Sequence, residues 1–200
     1  MLPRAPTLIT SFLNVLKTGK SNAFKRVLGK TNADLGDWGS EYERPMPGTD
    51  RVYASTHRHK HQAQAMCVTC RQCAEWHDSV CEKVSDTDCG SLGCIPSRIN
   101  ESRNTKIHFG RVASGNAVMA SAHRRDKIIQ EEACIAFETA GAATWDVLGT
   151  IVVKGVVEYA DSHKNKIWRA YPAARAALCA KALIEEIELA DVPRSHHTGQ

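Results

Sequence analysis

Two hundred residues with 26 Lys and Arg against 22 Asp and Glu, a net charge of +4, make one ordinary domain with a real core. The basic residues are scattered among acids without the aromatic interleaving of a single-strand platform, which argues against nucleic acid as a partner. The longest apolar run, around Val152, is broken by Lys154, so no segment reads as a membrane span. Pro3, Arg4 and Pro6 precede a polar-interrupted helix where a signal peptide would need an apolar run, and the expected compartment is the cytoplasm. There the eight cysteines read as thiols or metal ligands before disulfides.

Residues 1–46 form a first segment. Leu8, Ile9, Phe12, Leu13 and Leu16 make a helical stripe over Thr7 to Lys17 that Gly19 stops, and Ala23 to Leu28 forms a second amphipathic piece closed by Gly29. Together they predict a helical hairpin lying on a sheet or a partner. From Thr31 to Thr49, Gly36, Gly39, Pro45, Pro47 and Gly48 predict loop.

Residues 47–106 form a Cys/His-rich insertion. It holds His57, His59, His61, Cys67, Cys70, Cys73, His77, Cys81, Cys89 and Cys94. Two thiolates two residues apart can chelate one tetrahedral ion, since the turn between them brings both sulfurs to about 2.3 Å from a zinc. Cys67, Cys70 and Cys73, closed by Cys81 or His77, are one reading, a structural zinc site. Reduced thiols on a loop are the other, and the lack of a second pair at zinc-ribbon distance favours them. The His-x-His-x-His run reads as a solvated basic loop.

Residues 107–192 carry the α/β signal. Ile107, Phe109 and Val112 alternate with polar residues as a strand, and Asn116 is placed to cap a helix running to about Glu132. Ala133 to Phe137 and Gly149 to Val157 are short apolar runs that predict strands buried in a largely parallel sheet. They end in Glu138 and Glu158, at strand carboxyl ends, where open α/β sheets place their ligands. Glu138 to Leu148 predicts a short Ala- and Gly-rich helix with Trp145 and Leu148 in the core. Tyr159 to Lys166 is a polar loop over the sheet edge, where Asp161 also suits an Asx-type turn. Pro172 opens a last helix, with Ala177, Leu178, Ala180, Ile184 and Ile187 inward, and residues 193–200 predict a disordered tail.

Three stretches carry a resemblance: Lys106-Ile107-His108-Phe109-Gly110-Arg111-Val112-Ala113-Ser114-Gly115-Asn116, Ala136-Phe137-Glu138-Thr139-Ala140-Gly141-Ala142, and Lys154-Gly155-Val156-Val157-Glu158-Tyr159-Ala160-Asp161-Ser162-His163-Lys164-Asn165-Lys166. In order and spacing they resemble the nucleoside phosphorylase superfamily, in the branch fused to NACHT and ankyrin-type modules in fungal NOD-like receptor proteins. The resemblance implies an α/β fold, an incomplete phosphorylase-type mixed sheet flanked by helices. It also implies N-glycosidic chemistry on purine nucleosides with phosphate or water as nucleophile, and no required cofactor.

Such chemistry needs an acid at the leaving base, a contact orienting the ribose and a placed nucleophile. The resemblance puts Glu158 at the base-contacting position, where the family has an aspartate, one methylene shorter. It puts Asn116, Phe137, Glu138, Thr139 and Asp161 around the substrate. Ala140 stands where the family's ribose-binding glutamate would be and accepts no hydroxyl bond. The family's glycine-rich phosphate loop and phosphate-binding arginine have no counterpart before Thr7. The expectation is therefore a truncated, catalytically impaired domain. If active, it is a purine nucleoside phosphorylase or nucleosidase; the alternative is a non-catalytic nucleoside-binding or protein-interaction module, zinc-stabilised or not. An exposed strand edge at Ile135 or Val152 would invite a homo-oligomer.

Overall fold

The computed structural model describes residues 7–33, 35–63, 67–102, 104–141 and 150–191. Two helices, α1 (Thr7–Lys17) and α2 (Asn22–Thr31), open the chain. The hairpin is present, but α2 runs through Gly29, and Asn32 ends it by donating from its backbone to the Leu28 and Gly29 carbonyls. Ser21 starts α2, its hydroxyl accepting from the Phe24 N–H at 3.1 Å, the ordinary N-cap bond. The expected loop over 31–49 contains two short 3-10 turns, Gly36–Trp38 and Ser40–Tyr42. Trp38 and Tyr42 meet edge to face, an apolar contact that outweighs the nearby glycines.

Two-residue strands β1 (Arg51–Val52) and β2 (Arg98–Ile99) pair antiparallel and close the Cys/His-rich segment at its base. Inside it, among the described residues, are the short helix α3 (Val68–Gln72) and a 3-10 turn, Glu82–Asp86. Further on, β3 (Arg111–Ser114), α4 (Ala122–Glu132) and β4 (Cys134–Glu138) form a strand-helix-strand unit whose strands are parallel as expected, but β3 begins only after Ile107 and Phe109, and β4 is not buried on both faces, since Ile135 is 50 % exposed. α4 begins later than Asn116: Ser121 caps it by accepting from the Arg124 N–H. Val118 lies before the helix and is exposed. Ala133 ends α4 in the left-handed region at φ 50°, the conformation a helix C-terminus favours and alanine resists.

The expected strand from Gly149 to Val157 forms no ladder among its described residues. Its described link to β4 is the Lys154 ammonium on the Phe137 carbonyl, a side-chain bond where a third strand would supply backbone. Val153 packs instead against a core of Val27, Cys179 and Ala182. Gly155 passes so close beneath the last helix that a Cβ there would stand 2.0 Å from the Pro172 carbonyl oxygen. The short helix expected after Glu138, with Trp145 and Leu148, lies outside the described residues, as do 193–200.

That last helix, α5 (Ala170–Asp191), packs against α2. Its buried face is not the one the large aliphatics suggested, since Ile184 is 57 % exposed while Ala174, Cys179, Ala182 and Glu186 are buried. Small residues let α2 approach, and the buried acid is matched: Arg26 donates Nε and Nη2 to the two Glu186 oxygens at 2.7 and 2.6 Å. Arg175 donates to the Thr31 and Ala33 carbonyls at the end of α2, which satisfies orphan acceptors. No described helix is long and apolar enough to cross a membrane.

Candidate metal centre and the neighbouring cleft

Cys67 occupies the N-cap of α3 and Cys70 its first turn, so the two-residue spacing turns both sulfurs to one side. Cys81 returns through a turn closed by Asp78, whose Oδ2 accepts from the Ala74 and Glu75 N–H groups at 2.8 and 2.7 Å. The fourth member is His61, and the ligand atoms of His61, Cys67, Cys70 and Cys81 all lie within 4.8 Å of one another. A tetrahedron with ligand distances of about 2.0–2.3 Å has edges of roughly 3.5–3.8 Å. His61 Nδ1 is 3.5 Å from Cys70 Sγ and 3.6 Å from Cys81 Sγ. Three thiols and one imidazole at that spacing fit a divalent ion such as zinc.

The electrostatics agree with crowding. The Cys70 backbone N–H holds the Cys67 thiol below its ordinary range against burial, while burial and then the neighbouring thiols push Cys81 up. A cation would remove that mutual repulsion. Cys73, expected as a ligand, is not in the set: its sulfur lies 2.7 Å from Arg58 Nη1 and 4.0 Å from the Asp78 carbonyl oxygen. A third cysteine three residues further on falls past the end of the short α3, at its C-cap.

The His-x-His-x-His run is not a solvated loop. His57, His59 and His61 are half-buried and each belongs to a ligand cluster. The residues between them hold the framework, Arg58 donating to the Glu75 and Asp78 carbonyls and Lys60 to those of Cys70 and Cys73. The alternation of histidines with Arg58 and Lys60 was the available sequence signal. A second group forms at a turn where the Cys94 N–H donates to the Cys89 carbonyl at 2.8 Å and Gly93 takes φ 74°. There the ligand atoms of His59, Cys89 and Cys94 lie within 4.8 Å of one another, as do those of His57, Cys94 and His163. The bond between the two thiols, then those from His59 and Tyr53, hold Cys89 down at about 4 against burial; the same bond pushes Cys94 up.

Beside this second group a cleft of about 440 Å³ opens between the Cys/His segment and residues 156–168. Glu158, Tyr159, Asn100, Asn165 and Trp168 line it together with Cys89 and His163. Asp50 organises one wall, accepting from Tyr159 Oη and Asn100 Nδ2, each at 2.8 Å; burial and then that bond push the Tyr159 phenol up to about 12. The buried Trp168 indole N–H finds no hydrogen-bond partner among the described residues.

The remaining expected site residues do not converge on Glu158's cleft. Asn116 and Thr139 are exposed and, like Phe137 and Glu138, do not line the cleft. Glu138 closes the turn after β4, accepting from Ser114 Oγ and from the Ala140 and Gly141 N–H groups at 2.6 and 2.7 Å. Burial opposes ionisation of its carboxyl, but those bonds outweigh it and lower the pKa. Asp161 is buried and accepts from the His163 N–H two residues on at 2.8 Å, the Asx-type turn that is its structural reading.

Over 90 residues the chain is 38 % identical to a nucleotide-binding leucine-rich repeat (NLR)-like protein of the fungus Hyaloscypha variabilis. The match covers 45 % of this chain and 9 % of that relative. No family model matches the chain, and no solved structure does.

Proposed function

We propose that this chain belongs to a nucleoside phosphorylase-like domain of an NLR-like protein, one that keeps a purine-nucleoside cleft but does not break the N-glycosidic bond. The observation that carries the reading is Glu158. It lies at the base-contacting position of the resemblance and lines a cleft of about 440 Å³, within the range of small-molecule sites. Asn100 and Asn165 line the same cleft and offer amides.

Catalysis asks for more than this wall. Ala140 brings only a methyl to the ribose position, and the Glu138 carboxylate is already committed to Ser114, Ala140 and Gly141. A divalent ion on His61, Cys67, Cys70 and Cys81, none of which lines the cleft, acts in this reading as a structural staple with no reactive role.

Calorimetry of the metal-replete chain with adenosine, inosine and methylthioadenosine tests the binding. We expect saturable binding that Glu158→Ala weakens about tenfold, the scale of one hydrogen bond to a charged group. Chromatography of the same mixtures should show no free base; phosphate-dependent base release above the protein-free control would restore an enzyme. No nucleoside binding at all would leave the chain as a protein-interaction module of its receptor-like parent.

A further inference from the structure

The second cluster is built from residues that the first site does not use. Cys94 belongs to both of its triads, one with His59 and Cys89 and one with His57 and His163. Cys94 is 7 % exposed and His163 also 7 %, so this is an interior site, where imidazole and thiol groups need partners. His163 lacks them: among the described residues neither ring nitrogen has a hydrogen-bond partner. Its Nδ1 stands 3.6 Å from Asp161 Oδ2, outside hydrogen-bond range but on the side from which a carboxylate orients a metal-bound histidine. The ring is fixed by stacking on Tyr53, centroids 3.7 Å apart.

We propose that His59, Cys89 and Cys94, whose ligand atoms lie within 4.8 Å of one another, form a second divalent-metal site that His163, grouped at that distance with Cys94 but not with His59 or Cys89, closes by turning toward them on metal binding; it is distinct from the one on His61, Cys67, Cys70 and Cys81. His57 competes for the fourth place, but its Nε2 already accepts the Ile95 N–H at 3.3 Å. Two thiolates and two neutral imidazoles around a divalent zinc give zero net charge, which suits a buried site. On binding, the thiol protons pass to solvent. The full ligand set makes this metal a cross-link between the Cys89–Cys94 turn and the loop after Glu158. It fastens two walls of the cleft, since Cys89 and His163 both line it.

This site stands on the cluster alone and does not depend on nucleoside binding. The test is the metal content of the full chain, purified in zinc without chelator, together with cobalt substitution. Wild type should carry about two ions per chain, and both His163→Asn and Cys70→Ser about one. His163→Cys should restore about two, with cobalt absorption gaining a thiolate band. If His163→Asn keeps about two ions, or His57→Asn loses one in its place, the assignment is wrong. Failure of His163→Cys to regain the ion would mark the Asn variant's loss as misfolding and equally overturn it. About one ion in wild type, lost in Cys70→Ser but not in His163→Asn, would leave the first site and remove the second.

Discussion

The Arg51–Ile99 segment and the α2–α5 pair solve the same burial problem with different chemistry. The helix pair brings Val27, Cys179 and Ala182 together, with Ile107, Val153 and Leu183 around them, and ties its one buried acid to Arg26. The Cys/His segment buries Tyr53, Cys70, Val84, Leu92 and Cys94, few of them aliphatic, and its described regular structure is a five-residue α-helix, a five-residue 3-10 turn and the two-residue pairing of its own ends. A segment of that size rarely closes on apolar area alone and is commonly held by disulfides or metals. All eight cysteines are free thiols here. Where helices can supply packing, the thiol of Cys179 is only a small apolar side chain; where they cannot, the sulfurs converge. The difference is in the neighbours, not in the residue type.

The sharpest way to break that comparison is to remove metal. Chelation, or Cys70→Ser, should unfold the Cys/His segment while α2 and α5 stay paired, because up to about 10 kcal/mol of zinc binding is also folding free energy. Hydrogen exchange resolved by segment would read this. Equal loss of protection in both regions would show that the segment's fold does not rest on its ligands.

Next in size is Gly155→Ala. A Cβ 2.0 Å from the Pro172 carbonyl oxygen cannot be absorbed without moving the start of α5, a strain of about 3 kcal/mol. Thermal melting should show it whether or not metal is bound, which separates the helical body from the staple.

A smaller effect is expected at Glu186. The hydrogen bonds from Arg26, partly offset by burial, hold its carboxyl below the ordinary range. A depressed folded-state pKa contributes stability that is full above the unfolded carboxylate value and is lost as pH falls through the folded one. Glu186→Gln should therefore lower the melting temperature at neutral pH and approach wild type in acid. A difference independent of pH would mean that packing, and not the ion pair, is what Glu186 provides.

The smallest change is Ala133→Gly, at φ 50° after α4. Glycine takes that conformation freely, so a gain of about 1 kcal/mol is expected. A loss would show that the alanine methyl has a packing role.

What the sequence by itself determined was local. Helical stripes placed α1, α2 and α5, a small and β-branched run placed β4, and alternation placed its parallel partner β3 a few residues early, because periodicity and propensity act within a few residues. The Cys67-x-x-Cys70 spacing foretold a shared pair of sulfurs for the same reason. Tertiary structure decided the rest. It put His61 rather than Cys73 with Cys67, Cys70 and Cys81 in the candidate site, since that depends on where α3 ends and where the Asp78 turn brings Cys81. It set the Thr150–Val157 run against the α2–α5 core without a ladder, because Gly155 could slide under Pro172. It also turned α5 so that small residues and Glu186 face inward, a choice that hydrophobicity along one helix does not contain. His163 is the clearest case: it follows Cys94 by a long stretch of chain, and the Asp161 turn, the Tyr53 ring and the bond from the His59 N–H to Ser162 Oγ hold its imidazole beside Cys94.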